Sequence, residues 1–118
     1  MQLPLQITFR DFASSDFIRD YVEKRAAKLE KFFDRIISCR VVVEAPNRGH
    51  HRHGSPFRVL IDVSVPGQEL VVGRRPDDEP SHKDLYAAID SSFDDMRRML
   101  EEWARKRRGE VKHHGAPA

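Results

Sequence analysis

With one cysteine in 118 residues, Cys39, the chain has no internal disulfide and no set of thiolates to hold a metal. Cys39 sits in an apolar run, where a lone thiol reads as packing rather than as a nucleophile. Long apolar runs are missing too, and no stretch approaches the roughly 18 residues of a membrane span. The opening MQLPLQITFRDF has no basic region followed by an apolar one, so no signal peptide is expected. Phosphate-cradling glycine loops, nucleophile elbows and HExxH pairs are all lacking. Carboxylates occur in DSSFDD, but Asp90 and Asp94 are expected on a solvated helix face, with nothing to make either a catalyst. The expectation is a soluble, cytoplasmic protein that is no enzyme, with no cofactor, no small-molecule substrate and no membrane partner.

Net charge is nearly absent as well, at +2, although 34% of the residues are charged. The arrangement of the charges therefore matters more than their sum. A chain of this length fits one domain and buries roughly two-thirds of its unfolded surface.

What is present is periodicity. Leu3, Leu5, Ile7 and Phe9 alternate with polar residues and predict a strand, with Pro4 marking a sheet edge or a bulge near its start. Ser14, Ser15 or Asp16 can cap a helix in which Ile18, Val22, Leu29, Phe33 and Ile36 recur at helical spacing, flanked by Tyr21, Ala26 and Phe32. In IISCRVVVEA, Ile37, Cys39, Val41 and Val43 share one strand face and Val42 lies on the other. FRVLIDVSV puts Phe57, Val59, Ile61, Val63 and Val65 on one face; Pro66-Gly67 turns the chain into a fourth strand, QELVVGR. Ser81 to Asp84 fit a capping box before a long helix with Leu85, Ile89, Phe93, Met96, Leu100 and Trp103 on one side. Gly109 can end that helix, and residues 110–118 read as a flexible tail able to link to a further domain. The predicted fold is α+β, a two-layer sandwich in βαβββα order with two helices packed on one face of a four-stranded sheet.

Tyr21 to Ile36 carries five cations in sixteen residues. At 100° per residue, Asp16, Asp20, Glu23, Glu30 and Asp34 fall opposite the apolar stripe, while Lys24, Lys28, Lys31 and Arg35 form a separate row. Like charges stacked at these spacings repel by a few tenths of a kcal/mol each, which pairing of Asp20 with Lys24 and of Asp34 with Lys31 partly offsets. A row of four spans roughly 16 Å and suits several phosphates; a solvated face is the plainer alternative. Arg25 projects close to the apolar stripe and is expected to snorkel past the sheet edge to water. Tyr21 and Phe32 are read as core rather than as base-stacking residues.

The second helix mixes signs. Arg97, Arg98, Arg105, Lys106, Arg107 and Arg108 are interleaved with Asp94, Asp95, Glu101 and Glu102. The cations of WARKRRG suit either phosphate or the dipole of a helix end. His50, His51 and His53 lack a Cys or carboxylate partner at zinc-ligand spacing, so no metal site is expected there. They read instead as titratable charge beside an anionic partner below about pH 6.5.

The βαβββα order, AKLEKFFDRI in and after the first helix, and DLYAAID opening the second together resemble the ribosome hibernation promoting factor and ribosome-associated inhibitor family, also described as sigma-54 modulation proteins. The resemblance covers about residues 2–108, making residues 1–109 a hibernation factor-like domain. It implies a bacterial stress-response protein, a monomer or weak dimer, that binds the small ribosomal subunit and its 16S ribosomal RNA near the decoding centre. There it would inhibit translation by covering messenger and transfer RNA sites. The family's basic positions map onto Lys24, Arg25, Lys28, Lys31, Arg98 and Lys106; local charge adds Arg35, Arg105 and Arg108. Structured RNA is gripped mainly through phosphate and shape, which suits fixed cations on a helical face.

The chain departs from the family at Asp95, Glu101 and Glu102, at the long loop PNRGHHRHGSP and at RRPDDEP. The acids favour an alternative: a non-ribosomal interaction module using charged helices to bind a protein or RNA partner.

Overall fold

The alternating apolar runs become strands whose buried side chains point mostly to one layer, with Val42 and Asp62 buried on the other face. In the computed structural model, which describes residues 1–11, 13–45, 57–73 and 85–115, with side chains to residue 109, the elements are β1 (Gln6–Arg10), α1 (Asp16–Phe32), β2 (Ser38–Glu44), β3 (Arg58–Val65), β4 (Gln68–Val72) and α2 (Leu85–Gly115). This is the α+β, βαβββα architecture expected. Sheet order, which periodicity leaves open, is β1-β2-β3-β4. The β1–β2 pair is parallel because α1 carries the chain back across the sheet between them, whereas β2, β3 and β4 pair antiparallel in sequence. β1 is an edge strand, and Pro4 lies ahead of its first paired residue.

One sheet face supplies Cys39, Val41 and Val43 from β2, then Val59, Ile61, Val63 and Val65 from β3, and Leu70 from β4. Against it pack Ile18, Val22, Ala26 and Leu29 of α1 and Ile89, Phe93, Met96, Leu100 and Trp103 of α2. Burial pushes the Cys39 thiol up to about 12, and the nearby Asp62 carboxylate adds to the effect. Asp62 belongs to the other sheet face, buried beside Val42 and joined to the Arg40 guanidinium at 3.2 Å. On the same face Arg58 and Glu44 pair at 3.7 Å, so its charges compensate one another.

Two glycines fix the β3–β4 region. Gly67, at φ +80°, follows Pro66 in the two-residue turn of the hairpin. Gly73, at φ +84°, lies so close to β3 that a Cβ there would stand 2.2 Å from the Val59 carbonyl oxygen. That same oxygen accepts a 3.1 Å hydrogen bond from the Ser92 hydroxyl of α2. One backbone carbonyl thus limits what can stand at β4's exit and takes a hydrogen bond from α2.

Both helices end differently from the periodic pattern. α1 stops at Phe32, because Phe33 is already extended (φ −133°, ψ 90°) and its N–H caps the Leu29 carbonyl. Ile36 still reaches the core, at 2% exposure, but from the connection into β2, anchored where the Ile37 N–H meets the Ser64 carbonyl at 2.8 Å. α2 runs through Gly109 to Gly115, because Gly109 keeps a negative φ rather than the left-handed conformation of a terminating glycine. A mid-helix glycine costs about 1 kcal/mol relative to alanine but does not itself stop the helix. The capping box, the histidine loop and RRPDDEP lie outside the described residues, as do the side chains of His113 and His114.

Candidate nucleic-acid interface

Ser15 starts α1 by accepting a hydrogen bond from the Ile18 N–H at 3.3 Å, and seventeen residues carry it about 25 Å along the sheet. Its exposed edge presents Lys24, Lys28 and Lys31. Lys24 meets Asp20 at 3.3 Å, but with its side chain 75% exposed this pair is weak. Lys28 and Lys31 have no ion-pair partner among the described residues, and Lys31 occupies the last turn. Arg35 lies beyond the helix end, so the row is three lysines on the helix plus an arginine displaced by the connection. The pairing of Lys31 with Asp34 expected from helical spacing is not formed, because Asp34 is no longer on the helix.

Arg25 goes elsewhere. Its side chain is only 22% exposed and crosses to α2, with Nη2 at 3.0 Å from Asp94 Oδ1 and Nε at 3.5 Å from Asp90 Oδ1. The guanidinium lies 5.6 Å from the centre of the Phe93 ring. Tyr21 adds a 2.6 Å hydrogen bond, its hydroxyl donating to Asp90 Oδ1. The expectation that Arg25 passes the sheet edge is corrected: the wheel gives its angle, but the neighbour at that angle is α2, whose carboxylates hold it. Asp90 and Asp94 are accordingly interhelical partners rather than simply solvated.

These contacts advance in step. Tyr21 meets Asp90, Arg25 meets Asp94, and Phe32 meets Arg97 at 6.0 Å. The two helices therefore run side by side in the same direction, and α2 outruns α1. Beyond the end of α1, Arg35 and Asp34 face Trp103, Arg105, Arg107 and Arg108 across an open groove. The Arg107 guanidinium covers the Trp103 ring at 5.3 Å. Because α2 continues to Gly115, Arg105 to Arg108 do not sit in its last turn, and a helix-end dipole does not account for them.

The remaining α2 positions are partly neutralised. Arg98 is held by Asp95, Lys106 by Glu102 at 3.2 Å, and Arg97 by Glu101 at 3.4 Å. All are exposed i,i+3 or i,i+4 pairs, worth a few tenths of a kcal/mol and readily exchanged. Helical spacing puts Lys106 on the flank away from α1, apart from the groove. The structure thus keeps Lys24, Lys28 and Lys31 on the exposed edge of α1, with Lys28 beside Arg97 of α2, gathers Arg35, Arg105 and Arg108 at the far end, and ties Arg25 into the helix interface.

Phe32 corrects a second expectation. It is 61% exposed rather than core, because α1 ends there and its neighbour covers only one side of the ring. With Lys28 and Arg97 it borders a shallow groove floored by Leu29, Phe33 and Phe93. Arg97 and Arg107, both near this line of cations, were distinguishable in the sequence only as basic residues among acids. Among the described residues no three His, Cys, Asp or Glu side chains converge as metal ligands, and no helix is long and apolar enough to cross a membrane.

A family model described as sigma 54 modulation protein / S30EA ribosomal protein matches residues 5–108. The chain belongs to that family. A ribosome hibernation promoting factor of Azotobacter vinelandii is 33% identical over 86 residues, covering 73% of this chain and 68% of the relative. The factor of the same name from Escherichia coli K12 is 29% identical across 95% of this chain and the whole of that protein. A ribosome hibernation promotion factor of Deinococcus radiodurans is 30% identical over 80% of this chain, which spans only 46% of that relative's length. Among solved structures, the N-terminal domain of Thermus thermophilus Protein Y is 30% identical with a TM-score of 0.64, covering 87% of this chain and 99% of that domain. A Coxiella burnetii ribosomal subunit interface protein, 16% identical with a TM-score of 0.67, shares the S30EA fold.

Proposed function

We propose that this member of the S30EA family is a cytoplasmic ribosome hibernation factor that binds the small ribosomal subunit near the decoding centre. It blocks the messenger and transfer RNA sites by occupancy, acts as a monomer or weak dimer, and performs no chemistry. The observation that carries this reading is the one-sided row of Lys24, Lys28 and Lys31, of which the last two have no ion-pair partner among the described residues, beside the cations of α2. The relatives' names support the ribosome as partner. Rigid helices hold these charges at fixed spacing, as recognition of an RNA backbone requires.

Co-sedimentation with isolated small subunits over a salt series tests the reading. Phosphate contacts lower log affinity by roughly 0.7 to 0.9 per contact for each tenfold rise in salt. Converting Lys24, Lys28 and Lys31 to Glu leaves the fold intact, since all three are exposed, and removes binding. Messenger and initiator transfer RNA displace the wild-type chain. Retained binding by a folded triple variant sinks the proposal.

The pairing of Arg97, Arg98 and Lys106 with carboxylates on α2 favours a second reading, a module that binds a protein partner. Salt-insensitive capture of a protein, with no affinity for small subunits, is its distinguishing result.

A further inference from the structure

Among the described residues three aromatic side chains stand open to solvent: Phe17 at 82% exposure, Phe32 at 61% and Tyr86 at 39%. Their surroundings differ. Phe17 lies in the first turn of α1 beside Asp16 and Asp20, where an anionic ligand is repelled. Tyr86 is engaged edge-on with Tyr21, ring centres 4.8 Å apart. Phe32 alone stands among cations. Lys28 and Arg97 share its groove, Lys31 precedes it, and the Arg97 guanidinium lies 6.0 Å from its ring centre. Of the carboxylates on the facing stretch of α2, Asp94 is engaged by Arg25 at 3.0 Å and Glu101 by Arg97 at 3.4 Å, while Asp34, two residues beyond Phe32, is exposed past the helix end.

We propose that Phe32 is a stacking platform for one unpaired nucleobase of single-stranded ribosomal RNA, with Lys28 and Lys31 taking the flanking phosphates. This deepens the reading above and rests on it. An open aromatic ring offers a base its π-face whatever the base's identity, and adjacent cations satisfy the backbone that carries it. The ring is open and the lysines that would take phosphates stand to its side, an arrangement that suits a splayed nucleotide rather than a duplex, whose bases are stacked on one another. An acidic protein surface would use the lysines but gain little from the ring.

The test uses the full chain and its Phe32→Ala, Phe32→Leu and Phe32→Trp variants. The probes are an unstructured RNA of about nine nucleotides, its abasic counterpart of the same length, and isolated small subunits. Phe32→Ala and Phe32→Leu weaken binding of the base-bearing RNA and of small subunits by about 5- to 100-fold, the range expected for loss of one stacked base. Phe32→Trp restores binding, with its added fluorescence quenched by the RNA but not by the abasic chain. All variants bind the abasic chain alike and keep the urea midpoint of the parent, because the ring is largely exposed. Equal affinity of Phe32→Ala and wild type for the base-bearing RNA overturns the proposal, as does an equal loss on the abasic chain or tighter binding of polyglutamate than of RNA. Wild type that binds the short RNA in a base-dependent way yet ignores small subunits leaves stacking in place and removes both the ribosomal reading and the ribosomal source of the base.

Discussion

Cys39 makes stability depend on alkaline pH in a direction that the structure sets. Cys39 is 2% exposed within the core, and burial pushes the folded pKa of its thiol to about 12 from an ordinary value of 9.0. Below pH 9 the thiol is protonated whether the chain is folded or not, and its contribution to stability is fully present. Above pH 9 the unfolded chain releases the proton while the folded chain keeps it, so stability falls progressively as pH climbs towards 12. A gap of that size corresponds to about 2 kcal/mol lost between pH 9 and pH 10.5. Urea unfolding in the presence of reductant, followed by the fluorescence of the single tryptophan, Trp103, reads this loss from the core itself. Other groups also titrate in this range, so the informative quantity is the difference from Cys39→Ala, which is less stable at neutral pH but lacks the thiol. That difference shrinks by about 2 kcal/mol over the same interval. Parallel pH curves for the two proteins would falsify the argument, because they would mean that the folded thiol ionises as freely as the unfolded one.

Two further substitutions separate fold from interface. Gly73→Ala combines a left-handed backbone with a Cβ placed against the Val59 carbonyl, and a loss of about 2–4 kcal/mol in urea unfolding is expected; a loss below 1 kcal/mol would show that β4's exit has room to shift. Arg25→Ala removes the strut between the helices and its packing on Phe93, costing about 1–2 kcal/mol of stability. Its effect on small-subunit binding is smaller than that of Lys28→Ala, and the reverse ranking would make Arg25 an RNA contact instead.

The strands were legible because a period of two has one solution when a single face is buried: Val59, Ile61, Val63 and Val65 needed no tertiary information to be assigned to the core. The buried stripe of α2 was legible for the same reason. Strand order was not, since periodicity describes faces and says nothing of neighbours. Side chains at the margin of a stripe are left undetermined for a related cause. Arg25 and Phe32 occupy similar angles on α1, yet one is enclosed by α2 and the other left open, because only the second stands where the helix ends. Helix ends themselves were ambiguous: the core position of Ile36 can be reached from a helix or from an extended connection, and Gly109 is compatible with continuation as well as with termination. The lysines of the candidate site were visible as a row, but that α2's acids take Arg25 and leave Lys28 and Lys31 without an ion pair among the described residues is a matter of packing.

Placing both helices on one sheet face has a consequence for how the molecule travels. A charge of +2 exerts little pull at a distance, but the lysine edge lies on the helical side, and the opposite sheet face carries charges already matched in the pairs Arg40–Asp62 and Arg58–Glu44. The field is therefore lopsided even though the sum is small. In the potential of a polyanion such a molecule feels a torque before it feels much attraction, and it turns its helices forward during the approach. Orientation is gained in solution rather than by repeated unproductive collisions, and that gain fades once added salt shortens the screening length below the dimensions of the domain.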